Sequence, residues 1–160
     1  MNPKVSLQRS GPGARLIAAQ LASISKIDVL VGIPETKASR RKGQINNAEL
    51  MYIHTHGSPA RNIPPRPVIE PAIANDEGPI TLQLEQALQS VLEEQPQQAL
   101  APLNAAGLEA RNACIRWFDD PNNGWPPNKP STITAKGSSH PLVDTGQLKR
   151  SITYVVTEKE

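Results

Sequence analysis

Apolar positions recur at helical spacing in three stretches of this 160-residue chain and crowd at strand-like density in two others. Ala14, Ile17, Ala18, Leu21 and Ala22 fall at i, i+3, i+4, i+7 and i+8, one stripe of a short helix. Ile80, Leu84, Ala87, Leu88, Val91 and Leu92 make a second stripe, with Pro79 suited to its first turn. A third joins Ala99, Leu103, Ala106, Ala110, Ala113, Cys114 and Trp117, in a helix that either begins near Pro102 or bends there. The last two are joined at Gln95-Pro96, so they are expected to fold back as a long antiparallel hairpin. Residues 27–33 and 151–156 are rich in β-branched side chains and read as strands, each the other's obvious partner. The pattern therefore predicts an α+β fold: a small antiparallel sheet, with two strands identified and others expected, packed on the helical hairpin.

Between these elements lie stretches that proline and glycine punctuate. Residues 1–13 read as an N-terminal arm and 14–160 as a single domain. The segment from Asn46 to Ile73 is the most distinctive: a helix ending at Gly57, then a loop with four prolines between Pro59 and Pro67. Prolines fix φ and restrain the residues before them, so this loop is expected to be stiff without needing hydrogen bonds of its own. Residues 119–129 form a turn cluster in which Asn123-Gly124 suits positive φ. Ser131 is placed to cap one short helix and Thr145 another, with Asp144-Thr145-Gly146 read as a cap.

Composition narrows the function classes. Aromatic residues make up only 3% of the chain, which disfavours a deep aromatic-lined ligand pocket. A net charge of +2 lacks the clustered basic footprint of a dedicated nucleic-acid binder. The lone Cys114 offers no intramolecular disulfide, consistent with a reducing interior. Met1 to Arg15 has no apolar signal core and no run spans a membrane, so a soluble chain made in the cytoplasm, with no membrane partner, is expected.

Two blocks then bear a resemblance. Ile53, His54, Gly57-Ser58-Pro59 and Ile63-Pro64-Pro65-Arg66-Pro67 make the first. Trp125-Pro126-Pro127, Pro130 to Ile133 and Pro141-Leu142-Val143-Asp144-Thr145-Gly146-Gln147-Leu148 through Ile152 make the second. With the strand Val29 to Ile33 before them and two helices between, they resemble the tailed-phage neck and tail-completion proteins. These are also described as virion morphogenesis proteins or minor tail components, and include the minor tail protein Z group. The resemblance spans residues 27–156 and departs at His56, where an aromatic or asparagine is frequent, and at Val68, where phenylalanine is common. It implies a non-enzymatic virion protein without cofactor that assembles as a ring of its own copies, commonly a hexamer, at the head-proximal end of the tail. Its partners would be tail-terminator and head-tail connector or stopper proteins, with DNA passing through the lumen and no sequence recognised.

Read for interfaces, Arg61, Ile63, Pro64, Pro65 and Arg66 in the stiff loop, together with Trp125, Leu142 and Asp144, are the candidate contacts. Arginine in a rigid loop suits bidentate carboxylates, and tryptophan is over-represented among interface anchors. An intrachain ion pair is the alternative for Arg61 and Arg66. Arg40, Arg41 and Lys42 form a basic run that suits either a solvated loop or contact with DNA or an acidic partner, the reading of a DNA-contacting adaptor. His54, His56 and His140 suggest a small metal-dependent hydrolase. His54 and His56 point about 200° apart on a helix, though, and share an ion only if Thr55 is extended. Ser139, His140 and Asp144 carry the residue types of a nucleophilic triad without any nucleophile-elbow signature.

Overall fold

The computed structural model describes residues 12–40 and 45–159. Arg41 and Lys42, and all but the last two residues of the expected arm, lie outside the described residues. Among the described residues eight α-helices and two strands follow in the order α1 (Pro12–Ile24), β1 (Ile27–Gly32), α2 (Glu35–Ala38), α3 (Asn47–His56), α4 (Ile69–Asn75), α5 (Glu77–Leu92), α6 (Leu100–Trp117), α7 (Pro130–Lys136), α8 (Gln147–Ser151) and β2 (Thr153–Glu158). This is the expected α+β architecture.

The hairpin forms on part of the predicted stripe: Ile80, Ala87 and Val91 of α5 are buried, whereas Leu84, Leu88 and Leu92 face solvent. Ile80 near the start of α5 packs with Ala106 and Ala110 midway along α6, while Ala87 and Val91 near its end meet Ala99 and Leu103. The two helices are therefore antiparallel. Small residues dominate the α6 side, which lets the backbones approach closely. Pro102 does not bend α6; it is the third residue, where the amide has no intrahelical acceptor to lose. Pro79 holds the same place in α5, and Pro71 in α4, a helix the apolar pattern did not reveal.

β1 and β2 pair antiparallel, with Ile27 opposite Glu158 and Gly32 opposite Thr153. Ile27, Val29 and Val156 turn one face onto the hairpin, where they pack on the cluster of Ala87, Val91, Ala99 and Leu103. Tyr154 lies on Gly107 of α6, where a Cβ would come within 2.8 Å of the ring Cγ. The opposite face carries Leu30 and Val155, cross-strand partners that are 55% and 45% exposed. The further strands expected from the sequence are absent among the described residues; a lone bridge between Ser58 and Ile63 is the other pairing. The intervening chain is taken up by short helices and proline-rich turns that lack the donors for a ladder.

The largest core cluster gathers at the C-terminal end of α6. Cys114, Trp117 and Phe118 pack there with Met51 of α3, Val68, Ala72 of α4, Leu148 of α8 and Ile152. Burial raises the Cys114 thiol to about 11, so it behaves as a small apolar side chain. Trp117 thus belongs to the core, as its helical register predicts.

Candidate functional site

The two blocks read from the sequence meet at this end of α6. Helix α3 is fixed at its start by a capping box: Asn46 Oδ1 accepts from Glu49 N at 2.8 Å and Glu49 Oε2 accepts from Asn46 N at 3.2 Å. Its end is fixed by Gly57, whose φ of 73° and ψ of 179° suit glycine, and where a Cβ would stand 2.9 Å from Ile63 O and Pro65 N. The chain then turns through Pro59–Arg61. Ser58 N donates to Ile63 O at 2.8 Å and Ile63 N to Ser58 O at 3.0 Å, so hydrogen bonds of the loop's own add to the restraint its prolines supply. Arg66 N donates to His54 O at 2.5 Å and closes the loop onto α3.

Arg66 is buried, and its side chain reaches neither a carboxylate nor its own helix. Its Nε and Nη2 donate to Pro126 O at 3.0 and 2.8 Å, and Nη2 also to Pro127 O at 3.1 Å. Trp125 answers in the other direction, its Nε1 donating to Pro67 O at 2.9 Å while its ring stands edge-on to Phe118 at 5.7 Å. Consecutive prolines leave carbonyls without competing amides beside them, and the arginine fork fits that arrangement. Burial draws the Arg66 guanidinium below its usual range, and the three carbonyl contacts offset the cost of desolvating it.

Above this tie lies a cleft of about 380 Å³ between the 58–66 loop and the segment 128–148. Of the interface candidates, Arg61, Ile63, Pro64, Arg66, Leu142 and Asp144 line it, as does Arg40 from the basic run. Pro65 sits behind the wall against Gly57, and Trp125 beneath, on the core. Sequence reasoning missed Lys129 and Lys136, which also line it. Lys129 Nζ donates to Asn62 O at 3.0 Å, and Lys136 Nζ to His140 O at 2.5 Å. Their spacing of seven along α7 and its cap was the available signal.

The cap assignments need correction. Lys129, not Ser131, occupies the N-cap position of α7, because Pro130 supplies a preset φ at the first helical residue. Gly146, at φ 72°, precedes α8, with Thr145 Oγ1 accepting from Gln147 N at 3.4 Å. Asp144 makes no cap bond among the described residues. It faces Lys136, whose ammonium is lowered first by burial and then by Arg66, with Asp144 opposing.

The three histidines serve separate contacts. His54 lines the cleft, and burial, then the Arg66 and Lys136 charges, lower it to about 4, so it is neutral at pH 7. His56 Nδ1 lies 2.9 Å from Tyr52 O, on the exposed side of α3. His140 Nε2 pairs with Asp119 Oδ1 at 3.1 Å, and Asp119 also binds Lys149, which holds its carboxyl below the usual range. Among the described residues, no three His, Cys, Asp or Glu side chains stand where they could share an ion. Nor does any helix there have the length and apolarity to cross a membrane.

Comparison with protein-family models, curated proteins and solved structures finds no match for this chain.

Proposed function

We propose that this chain is a structural component of a tailed-phage virion, a neck or tail-completion protein. Copies of it close into a ring at the head-proximal end of the tail and help join tail to head. The observation that carries this reading is the reciprocal tie of the two blocks on which the resemblance rests. Arg66 of the first binds the Pro126 and Pro127 carbonyls of the second, and Trp125 of the second binds the Pro67 carbonyl of the first. Residues that identify a family by combination gain weight when they form one physical unit.

Surface chemistry supports assembly. Leu16, Ile17 and Leu21 on α1, Leu82, Leu84, Leu88 and Leu92 on α5, and Leu30 with Val155 on the sheet are large apolar side chains left in solvent. Apolar surface spread over several elements is what a subunit with neighbours on more than one side requires. A ring repeats one heterologous contact until rotation closes it, so each copy presents two different faces. DNA passes through the lumen without sequence recognition, and tail-terminator and connector or stopper rings are the neighbours above and below.

Omitting the chain from an otherwise complete assembly tests this. Finished heads and finished tails should accumulate separately, and adding the purified protein should restore joining. Joined, infectious particles formed without it would overturn the proposal.

A further inference from the structure

The cleft beside the tie holds an imbalance of charge that the described residues do not neutralise. Arg40, Arg61, Arg66, Lys129 and Lys136 line it against a single carboxylate, Asp144. Among the described residues none of these five cations forms an ion pair within 4 Å; the ion pairs there involve Arg116, His140, Lys149 and Lys159. Arg66, Lys129 and Lys136 instead donate to backbone carbonyls, which orient them without cancelling their charge. Two residues of the lining also hold polar atoms with neither solvent access nor a partner among the described residues: Arg40 Nε and His54 Nδ1. His54, lowered first by burial, is lowered further by the Arg66 and Lys136 charges.

Leu50, Ile63, Pro64, Leu142 and Leu148 add apolar surface to the wall, interspersed with the neutral polar side chains of Asn62, Asn128, Thr132, Thr145 and Gln147. An oxyanion on a short apolar stem matches that combination. We infer that the cleft receives a carboxylate side chain from an acidic segment of a partner protein, its oxygens toward Arg61 and Lys136 and its stem along Ile63, Pro64 and Leu142. A nucleic-acid backbone fits less well: a concave site of about 380 Å³ admits one charged side chain with its neighbours rather than a run of phosphates. The identity of the partner, a neighbouring subunit of the assembly, rests on the proposed virion role. The carboxylate chemistry does not.

The test is an NMR titration of the full chain with N-acetylglutamate methylamide and, separately, with inorganic phosphate. The glutamate probe should give saturable shifts at residues of the cleft, His54 and Gly146 among them, and should raise the His54 titration midpoint by screening the field on it. Arg61→Met and Lys136→Met should each weaken binding about tenfold while leaving the remaining spectrum folded. Absence of saturable shifts, binding unaffected by both substitutions, or phosphate bound tenfold more tightly than the glutamate probe would each overturn the inference. Any of these leaves head-tail joining untouched, and failure of joining leaves the titration untouched, so the two proposals fail separately.

Discussion

Arg66 and Trp125, 59 positions apart in sequence, each donate a hydrogen bond to the proline-rich segment that the other belongs to. Arg66 grips Pro126 and Pro127, and Trp125 grips Pro67. The result is a staple across two loops that have few amides to offer one another. Removing the guanidinium strands three part-buried contacts at once, so Arg66→Ala should destabilise the fold by about 3 kcal/mol. Arg66→Lys keeps the charge but not the fork and should cost about 1 to 2 kcal/mol. Trp125→Phe should cost about 1 kcal/mol. A double-mutant cycle by chemical denaturation should show the two coupled; strict additivity would mean that the loops are held by other contacts.

Gly57 is fixed by both its backbone and its neighbours. Alanine there meets a strained φ as well as the Ile63 carbonyl and the Pro65 nitrogen. Gly57→Ala should cost about 2 to 4 kcal/mol and free the 58–66 loop, measured as lost amide protection at Ser58 and Ile63. Unchanged protection would show that the turn does not depend on the close approach.

A different constraint acts at Gly107, which is helical and has no need of positive φ. Alanine would favour the helix by about 1 kcal/mol on propensity alone. Here it should instead destabilise by about 1 to 3 kcal/mol, since the Tyr154 ring occupies the space of the Cβ and β2 would have to lift from α6. Pairing Gly107→Ala with Tyr154→Val should recover most of the loss in thermal unfolding.

His54 makes stability depend on pH. Its folded value of about 4 lies below the ordinary 6.5, so the unfolded chain binds the proton more readily. The contribution is complete above pH 6.5 and is lost as the pH falls toward 4. Stability should therefore decline by about 1 to 2 kcal/mol across that window, the ring's partial access to solvent reducing the full effect. His54→Gln should flatten the decline. A wild-type profile already flat between pH 6.5 and 4.5 would contradict the assignment.

How far the sequence discloses the fold depends on the range of the forces involved. The hairpin, the strand pair and the end of α3 at Gly57 follow from local periodicity and glycine, and all were legible. Helix α4 was not, since Pro71 argues against a helix unless it stands in the first turn. The extra strands expected with β1 and β2 did not form among the described residues, where short helices and proline-rich turns take their place. In the cleft, the residue types were legible and their use was not. Arg66 reads as a ligand for carboxylate, yet its partners are carbonyls 60 residues away, and nothing in a sequence marks a carbonyl as free. Lys129 and Lys136 escaped notice because their convergence with Arg61 arises from the docking of α7 against the 58–66 loop, a tertiary event.

The central claim, that copies of this chain join tail to head as a ring, is tested most directly by electron microscopy of particles assembled with it. A closed ring of identical copies at the head-proximal end of the tail, with the Arg66 and Trp125 staple intact in each, is the expected result. Joined particles whose head-tail junction contains no copy of this chain would contradict it.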